Sequence, residues 1–214
     1  MGVFESAINL ASFRDCKDET ISRKTMGKIL EAGRQAPSPG NVHSIEFIVV
    51  EGDHEKHQLE KIVGDQRVGE VPTAVIILSD INRMSRRVGK EKCHDFCNSE
   101  AAATVQNMRL TAQDEGIGSC WITGFDQQVL ADKFGIPSGK EALGVVIFGY
   151  SDSPVQQSDK FGLGEICFYD EYGNQITSAF DSLEWHGIEE ARAIYGKKGR
   201  GLIDKIRRKL TEHL

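Results

Sequence analysis

The chain has 214 residues, of which 39% are hydrophobic and 27% are charged, and its formal net charge is −6 at pH 7. This length suits one domain with a full apolar core, and the acidic balance argues against nucleic acid or an anionic membrane as the main partner. No run of residues approaches the length of a membrane-spanning helix, and the N-terminus lacks the basic-then-apolar pattern of a signal peptide, so we expect a cytoplasmic location.

The cysteines are odd in number and scattered along the chain, at positions 16, 93, 97, 120 and 167. They do not form a disulfide framework, and this usage fits a reducing compartment. Cys93-His94-x-x-Cys97 has part of the spacing of a zinc site. However, no second pair of cysteines or histidines is placed to complete four ligands, so we predict no metal.

In chain order, the hydrophobic pattern is typical of an α/β domain without repeats. Helices are predicted at about 3–11 and 22–35, the second with Ser22 as its N-cap. Short runs rich in valine and isoleucine predict buried strands at 45–50, 74–78 and 145–148. The longest helix is predicted at about 96–115. Its apolar residues cover more than one face, so it is buried either inside one subunit or across a dimer interface.

The sequence from residue 151 onward has too little apolar periodicity to fold alone. It contains one candidate hairpin, in which Ile166-Cys167-Phe168-Tyr169 turns through Asp170 to Gly173. Two arrangements would bury its apolar side chains. One is an arm that packs on a second subunit, and the other is a meander that closes the core of its own subunit.

A loop between the second helix and the first strand, residues 36–43, has the sequence Ala-Pro-Ser-Pro-Gly-Asn-Val-His. Two prolines fix φ, Gly40 can take a positive φ, and the short side chains of Ser38 and Asn41 can bond nearby backbone. A loop of this kind is rigid and well supplied with donors and acceptors, which is typical of cofactor binding. The same residue types also serve an ordinary helix-to-strand connection.

Three further segments complete a pattern with this loop. They are Ser12-Phe13-Arg14, the stretch Gly-Ile-Gly-Ser-Cys-Trp-Ile-Thr-Gly-Phe-Asp at 116–126, and Lys-Lys-Gly-Arg at 197–200. In this order and at these separations, the four segments resemble the FMN-dependent nitroreductase family over most of the chain, from about Ser12 to Leu202. The chain departs from the family pattern before Ser12, where Leu10-Ala11 replaces the usual arginines.

The resemblance implies a fold and an assembly. The fold is α/β (α+β) and has three layers, with a central, mostly antiparallel sheet flanked by helices. Residues 1–214 form one such domain, with 151–214 as a C-terminal arm that wraps around the partner. The family assembles as intertwined homodimers with two FMN sites, each lined by both subunits.

The resemblance also implies the contacts that hold FMN. The phosphate or ribityl chain is bound by a hydroxyl and three cations, Ser12, Arg14, Lys198 and Arg200. An alternative for Arg14 is an exposed arginine at a helix end. One side of the flavin is lined by residues of the 36–43 loop, namely Pro37, Ser38, Asn41 and His43. His43 stands where the family has glutamine, and it is either a flavin contact or a core histidine bonded to backbone.

The other side of the flavin is implied to be Trp121, Ile122, Thr123 and Gly124. Gly124 is expected to aim its amide N–H at flavin N5, because a residue without a side chain permits close approach, and Thr123 is its neighbour. These two are the predicted catalytic residues. Trp121 is either part of the cofactor platform or a core residue. Gln66 and Arg67 are expected near N1 and O2, where a cation stabilises the reduced flavin.

The implied activity is a ping-pong oxidoreductase reaction. A reduced nicotinamide, NADH or NADPH, or a deazaflavin donor delivers hydride to flavin N5, and a nitroaromatic or quinone acceptor then takes its place. Gly116-x-Gly118 lacks the third glycine and preceding strand of a dinucleotide fingerprint, so we expect the donor to share the flavin pocket. The charged segment 80–97 is either a substrate lid or a solvated loop. Alternative functions are dehalogenation or flavin cleavage in the same fold, and flavin binding without turnover.

Overall fold

The computed structural model describes residues 2–13, 15–17, 19–151, 161 and 163–174. The chain divides into two compact units, 1–157 and 158–214. The elements of the first unit follow one another as α1 (Val3–Asn9), α2 (Arg23–Arg34), a 3-10 turn (Pro39–Asn41), β1 (Ile45–Val50), α3 (Asp53–Val63), α4 (Arg67–Glu70), β2 (Thr73–Asp80), α5 (Ile81–Val88), α6 (Cys93–Asp114), β3 (Gly118–Ile122), α7 (Gln127–Phe134) and β4 (Lys140–Gly149).

The four strands form one antiparallel sheet in the order β1-β2-β4-β3. Phe47 of β1 lies opposite Ile77 of β2, and Trp121 of β3 lies opposite Val146 of β4. The two central strands are almost wholly buried, which explains why they consist of nearly continuous runs of apolar residues. The two edges of the sheet are β1 and β3.

Alternate residues of β2 point to two separate apolar clusters, one on each face of the sheet. Ala74, Ile76 and Leu78 join the cluster that Leu59 of α3 and Leu130 of α7 complete. Side chains of α2 and α6 complete the other cluster, which takes the intervening residues of β2. The fold therefore has three layers, helices, sheet and helices, as the family resemblance implies.

Helices α2 and α6 approach each other closely at Gly33. A Cβ at this position would lie only 2.7 Å from Cγ of Met108 and 3.2 Å from Cγ2 of Thr104. Met108 and Thr104 are both buried, so α6 packs inside its own subunit on this face. Ala102 and Gln106 are exposed within the subunit.

The described part of the second unit contains α8 (Leu163–Ile166) and a turn. The Tyr169 amide donates to the Asn174 carbonyl at 2.9 Å, which closes a turn where a hairpin was predicted. Ile166, predicted to lie in the first strand of that hairpin, is the last residue of α8. The rings of Phe168 and Tyr172 pack with their centroids 4.5 Å apart. The other residues of the predicted arm, apart from 151 and 161, lie outside the described residues.

Most predicted elements occur with shifted ends. Ser22 caps α2 by accepting the Thr25 amide at 3.1 Å, and the strand at 45–50 has the predicted bounds. The sequence did not predict β3, α3, α4, α5 or α7. Much of the charged segment 80–97 is helical, because α5 and the first turn of α6 lie within it. Among the described residues, no helix combines the length and the apolar character needed to span a membrane.

Candidate functional site

The 36–43 loop and the Thr123-Gly124 pair lie toward the same end of the sheet but on opposite edges. Gln66 and Arg67, which were expected near flavin N1 and O2, precede β2 and lie near the other end. Ser44, after the 36–43 loop, directly precedes β1, while Thr123 and Gly124 directly follow β3. Since β1 and β3 are the outer strands of four, three interstrand spacings, or about 14 Å, separate them. The structure thus brings Thr123 and Gly124 together, and Ser38, Asn41 and His43 together, as two separate groups.

The loop has an unusual backbone. Gly40, Asn41 and His43 have φ values of +61°, +56° and +53°, so three of four consecutive residues are left-handed. Asparagine and histidine tolerate this region better than most residues, but each such position still costs on the order of 1–3 kcal/mol. A conformation of this kind persists only where surrounding contacts fix it.

Polar side chains within the loop provide some of these contacts. The Ser38 hydroxyl accepts the amides of Val42 at 3.1 Å and His43 at 2.7 Å. A ring nitrogen of His43 lies 2.8 Å from Oδ1 of Asn41, so Nε2 carries the proton in this pair. His43 and Asn41 are both exposed. His43 is therefore not a core histidine, and it is presented to solvent beside Asn41.

Helix α5 packs on the outer side of the loop. Arg83 donates to the His43 carbonyl at 2.7 Å and pairs with Glu46 at 3.2 Å. One turn later, Arg87 lies across Gly40, where a Cβ would be 3.0 Å from Arg87 Cγ. Sequence reasoning missed these contacts. The only local signal is Asp80, which caps α5 by accepting the Arg83 amide at 2.8 Å.

The residues after β3 combine packing with open space. Ile122 is buried in the core, whereas Thr123 and Gly124 are exposed. Gly124 has a φ of +86°, and no described atom lies within 4 Å of the position that a Cβ would occupy. Its amide N–H has no hydrogen-bond acceptor among the described residues. This position fits the close approach of a planar ligand that needs a donor.

Trp121 packs differently from its neighbours. Its ring joins the core on the α2 and α6 face and lies against Gly144, where a Cβ would overlap the indole. The indole Nε1 is buried and, within the described part of the chain, has no hydrogen-bond partner. Of the two interpretations of Trp121, the structure favours the core residue.

The predicted phosphate segment lies near the opposite end of the sheet. Phe13 is 1% exposed and packs on Gly118, the first residue of β3. Arg67 donates to the Phe13 carbonyl at 2.8 Å and forms two hydrogen bonds to Asp65. The hydrogen bond from Arg67 lowers the pKa of the Asp65 carboxyl. Three of the five guanidinium N–H groups of Arg67 are therefore used within the protein.

Of the remaining residues predicted to contact FMN, the structure describes three and does not describe the other three. Ser12, Pro37 and Gln66 are exposed. Arg14, Lys198 and Arg200 lie outside the described residues, so their roles stay predictions.

The Cys93-His94-x-x-Cys97 segment does not converge on one point. Both thiols are buried, while His94 is exposed and lies 3.2 Å from Glu141. Over the described ranges, no group of three or more metal-ligating side chains is arranged around a common centre.

Sequence comparison identifies relatives of this chain. Residues 11–70 and 63–150 match the model of the nitroreductase family. The chain is 30% identical over 145 residues to a protein of Archaeoglobus fulgidus provisionally named NADH dehydrogenase/NAD(P)H nitroreductase, an alignment that covers 65% of this chain and 79% of that protein. It is 27% identical over 116 residues to the FMN reductase (NAD(P)H) of Bacillus subtilis, covering 54% of this chain and 45% of that enzyme.

Solved structures share the fold. The NfrA1 nitroreductase of Bacillus subtilis superimposes with a TM-score of 0.72 at 17% identity, over 84% of this chain and 77% of that chain. A nitroreductase family protein of Clostridium difficile gives a TM-score of 0.68 at 21% identity, over 80% of this chain and 99% of that chain. At these sequence identities, the similarity to the two solved structures shows a shared fold and nothing more.

Proposed function

Because this chain belongs to the nitroreductase family, we propose that it is a cytoplasmic FMN-dependent oxidoreductase. It takes hydride from NADH, NADPH or a deazaflavin donor and passes it to an electron-poor acceptor such as a nitroaromatic or a quinone. The names of the Archaeoglobus and Bacillus relatives support a nicotinamide donor. The FMN reductase among them supports the choice of flavin.

Gly124 is the observation that carries this proposal. It is exposed, left-handed at φ +86° and bordered by open space. Its amide is free to donate to the edge of a flavin, and its lack of a side chain lets the ring come close. When bound, FMN supplies the hydride-accepting N5. The protein's part is to fix the ring with a donor at Gly124 and to leave room beside Thr123 for the reacting partner.

The separation of the two ring-binding groups supports a site shared between two subunits. Asn41 and His43 belong to the β1 edge of the sheet, and Gly124 belongs to the β3 edge, which is at least about 14 Å away. We propose that each flavin binds Gly124 of one subunit and the 36–43 loop of the partner. The exposed residues Ala102 and Gln106 leave a face of α6 available for this homodimer.

For the phosphate, we propose Ser12, Arg14, Lys198 and Arg200. The described geometry supports the first segment, because Arg67 holds the Phe13 carbonyl between Ser12 and Arg14. A fixed backbone at Phe13 supports a role for Ser12, the residue before it, at the phosphate. Arg67 itself then stabilises the site indirectly, by holding this carbonyl.

An absorbance spectrum of the purified protein tests the proposal. We expect a yellow protein whose flavin band bleaches under anaerobic conditions when NADH or NADPH is added and returns when a quinone is added. Light scattering on the same sample should give the mass of a dimer. A yellow protein that no hydride donor reduces would indicate a flavin-binding protein without turnover. A colourless protein that does not take up added FMN would refute the proposal altogether.

A further inference from the structure

Helix α6 carries a buried carboxylate that has no cationic partner in the described part of the chain. Glu100 is 3% exposed, and no lysine, arginine or histidine side chain described here lies within ion-pair distance of it. Buried carboxylates are rare unless they are paired or hydrogen bonded. The hydrogen-bond donors that stabilise the Glu100 carboxylate therefore indicate the role of this residue.

Among the described residues, the side-chain oxygens of Glu100 accept hydrogen bonds from Ser44 alone, 56 residues earlier in the chain. Oε1 and Oε2 accept the Ser44 amide at 3.1 Å and 3.3 Å, and Oε2 accepts the Ser44 hydroxyl at 2.6 Å. Hydrogen bonds to an ionised acceptor are shorter and stronger than neutral ones. Glu100 thus holds both the backbone and the side chain of a single residue.

A second polar residue extends this contact. The Ser79 hydroxyl, fully buried on β2, lies 2.7 Å from the Ser44 hydroxyl. Because the Ser44 proton is donated to Glu100, the Ser79 proton must be donated to Ser44. Cys97, one turn before Glu100, is buried beside both serines, and burial raises the pKa of its thiol. A neutral thiol adds no charge to the cluster.

Ser44 is the residue at which the strained loop becomes a strand. It follows His43, whose φ is +53°, and its own carbonyl accepts the Asp80 amide at 2.9 Å. Its amide, carbonyl and hydroxyl are all fixed, so the direction of the chain at His43 is fixed as well. The contact that fixes the amide and hydroxyl comes from Glu100.

We propose that Glu100 is a positioning residue of the flavin site, which acts by holding Ser44 so that Asn41 and His43 keep their left-handed conformations toward the cofactor. This inference rests on the proposed function as far as the loop contacts flavin. The hold on the loop is a property of the protein without cofactor, and it can be measured without flavin.

The test uses Glu100→Gln, with Glu51→Gln as the matched control, since Glu51 is an exposed carboxylate just past the other end of β1. In Glu100→Gln, one carboxylate oxygen becomes an NH2 group, which is a donor. It cannot accept a hydrogen bond from Ser44, so one of these bonds is lost. We expect hydrogen exchange at the amides of 42–44 to rise about ten- to a hundredfold in the apo-protein, the size of one lost charged hydrogen bond. FMN affinity should fall by about tenfold or more, with a changed visible circular dichroism of the bound flavin. Glu51→Gln should show neither effect.

Two further variants keep the test decisive if Glu100→Gln folds poorly. Glu100→Asp keeps the charge and should retain part of the protection, and Ser44→Ala removes only the hydroxyl. In the double variant, hydrogen exchange at 42–44 should rise by less than the sum of the two single effects, expressed as free energies. The reason is that Glu100→Gln and Ser44→Ala remove the same contact. Loss of stability with unchanged exchange at 42–44 and unchanged FMN affinity would overturn the inference. Faster exchange with unchanged FMN affinity would overturn the link to flavin, and a wild-type protein that binds no FMN would refute the proposed function itself.

Discussion

Replacing Gly124 with alanine separates the chemistry at the flavin from mere flavin binding. Gly124 has a φ of +86° with no described atom within 4 Å of a new Cβ, so alanine meets no neighbour and only the backbone is strained. A left-handed alanine costs about 1–2 kcal/mol. In a chain of this size that cost lowers Tm by about 2–8 °C. The chain can relieve the strain by rotating φ, which turns the amide away from the ring edge.

The expected result is a protein that stays yellow and reduces slowly. A displacement of about 1 Å at a reacting centre costs on the order of a hundredfold in rate. The assay is anaerobic stopped-flow bleaching of the bound flavin with excess NADH or NADPH, with rates taken for the flavin-bound fraction. Gly135→Ala is the control, because Gly135 is also left-handed, at φ +64°, with open space around it, but caps the C-terminus of α7. Gly135→Ala should lose a similar amount of stability and keep the wild-type rate of flavin bleaching. Equal bleaching rates in the two variants would refute the placement of Gly124 at the reactive edge.

Three other changes test separate parts of the structure. Gly144→Ala forces a methyl group into the Trp121 ring and should cost about 1–3 kcal/mol, seen as a lower Tm together with altered tryptophan fluorescence. Asp65→Asn should cost about 1.5–3 kcal/mol at neutral pH. The pKa of the Asp65 carboxyl is lowered in the folded state. The difference in free energy of unfolding between Asp65→Asn and wild type should therefore be full above about pH 4 and should vanish as the pH falls further. Urea unfolding at several pH values measures it. Arg14→Ala and Arg200→Ala should each weaken FMN binding about ten- to a hundredfold in a fluorescence titration without unfolding the protein, and unchanged affinity in both would remove them from the phosphate site.

The parts of the fold that sequence could predict are those with a strong local signal. The central strands and α6 are buried on several sides, so their apolar runs are long and unambiguous. Strand β3 was missed because Gly118 begins it, it is only five residues long, and its polar Ser119 faces inward. Helix α3 was missed because Gly52 gives it no side-chain cap and its inner face includes the buried Lys56, which donates to the Val71 carbonyl.

The candidate site was predictable where function depends on a local motif. The Ser38 to His43 loop and the Thr123-Gly124 pair stand out because glycine, proline and asparagine have restricted roles in the backbone. The contacts that fix these segments join residues far apart in the chain, such as Glu100 with Ser44 and Arg67 with Phe13. Such pairs leave no periodic or spacing signal, so only the folded structure identifies them.

The approach of α2 to α6 at Gly33 has a consequence for how the chain can change. Helix α6 fixes the entry to the 36–43 loop through Gly33 and fixes its exit through Glu100 and Ser44. Positions 41 and 43 lie between these two attachments, so substitutions there remove the contact between Asn41 and His43 but leave both ends of the loop held. An engineered library confined to residues 41 and 43, both of which tolerate Asn, Asp, His or Gly at positive φ, should alter the preferred acceptor without altering the fold. Changes along α6, in contrast, would act on both attachments of the loop at once.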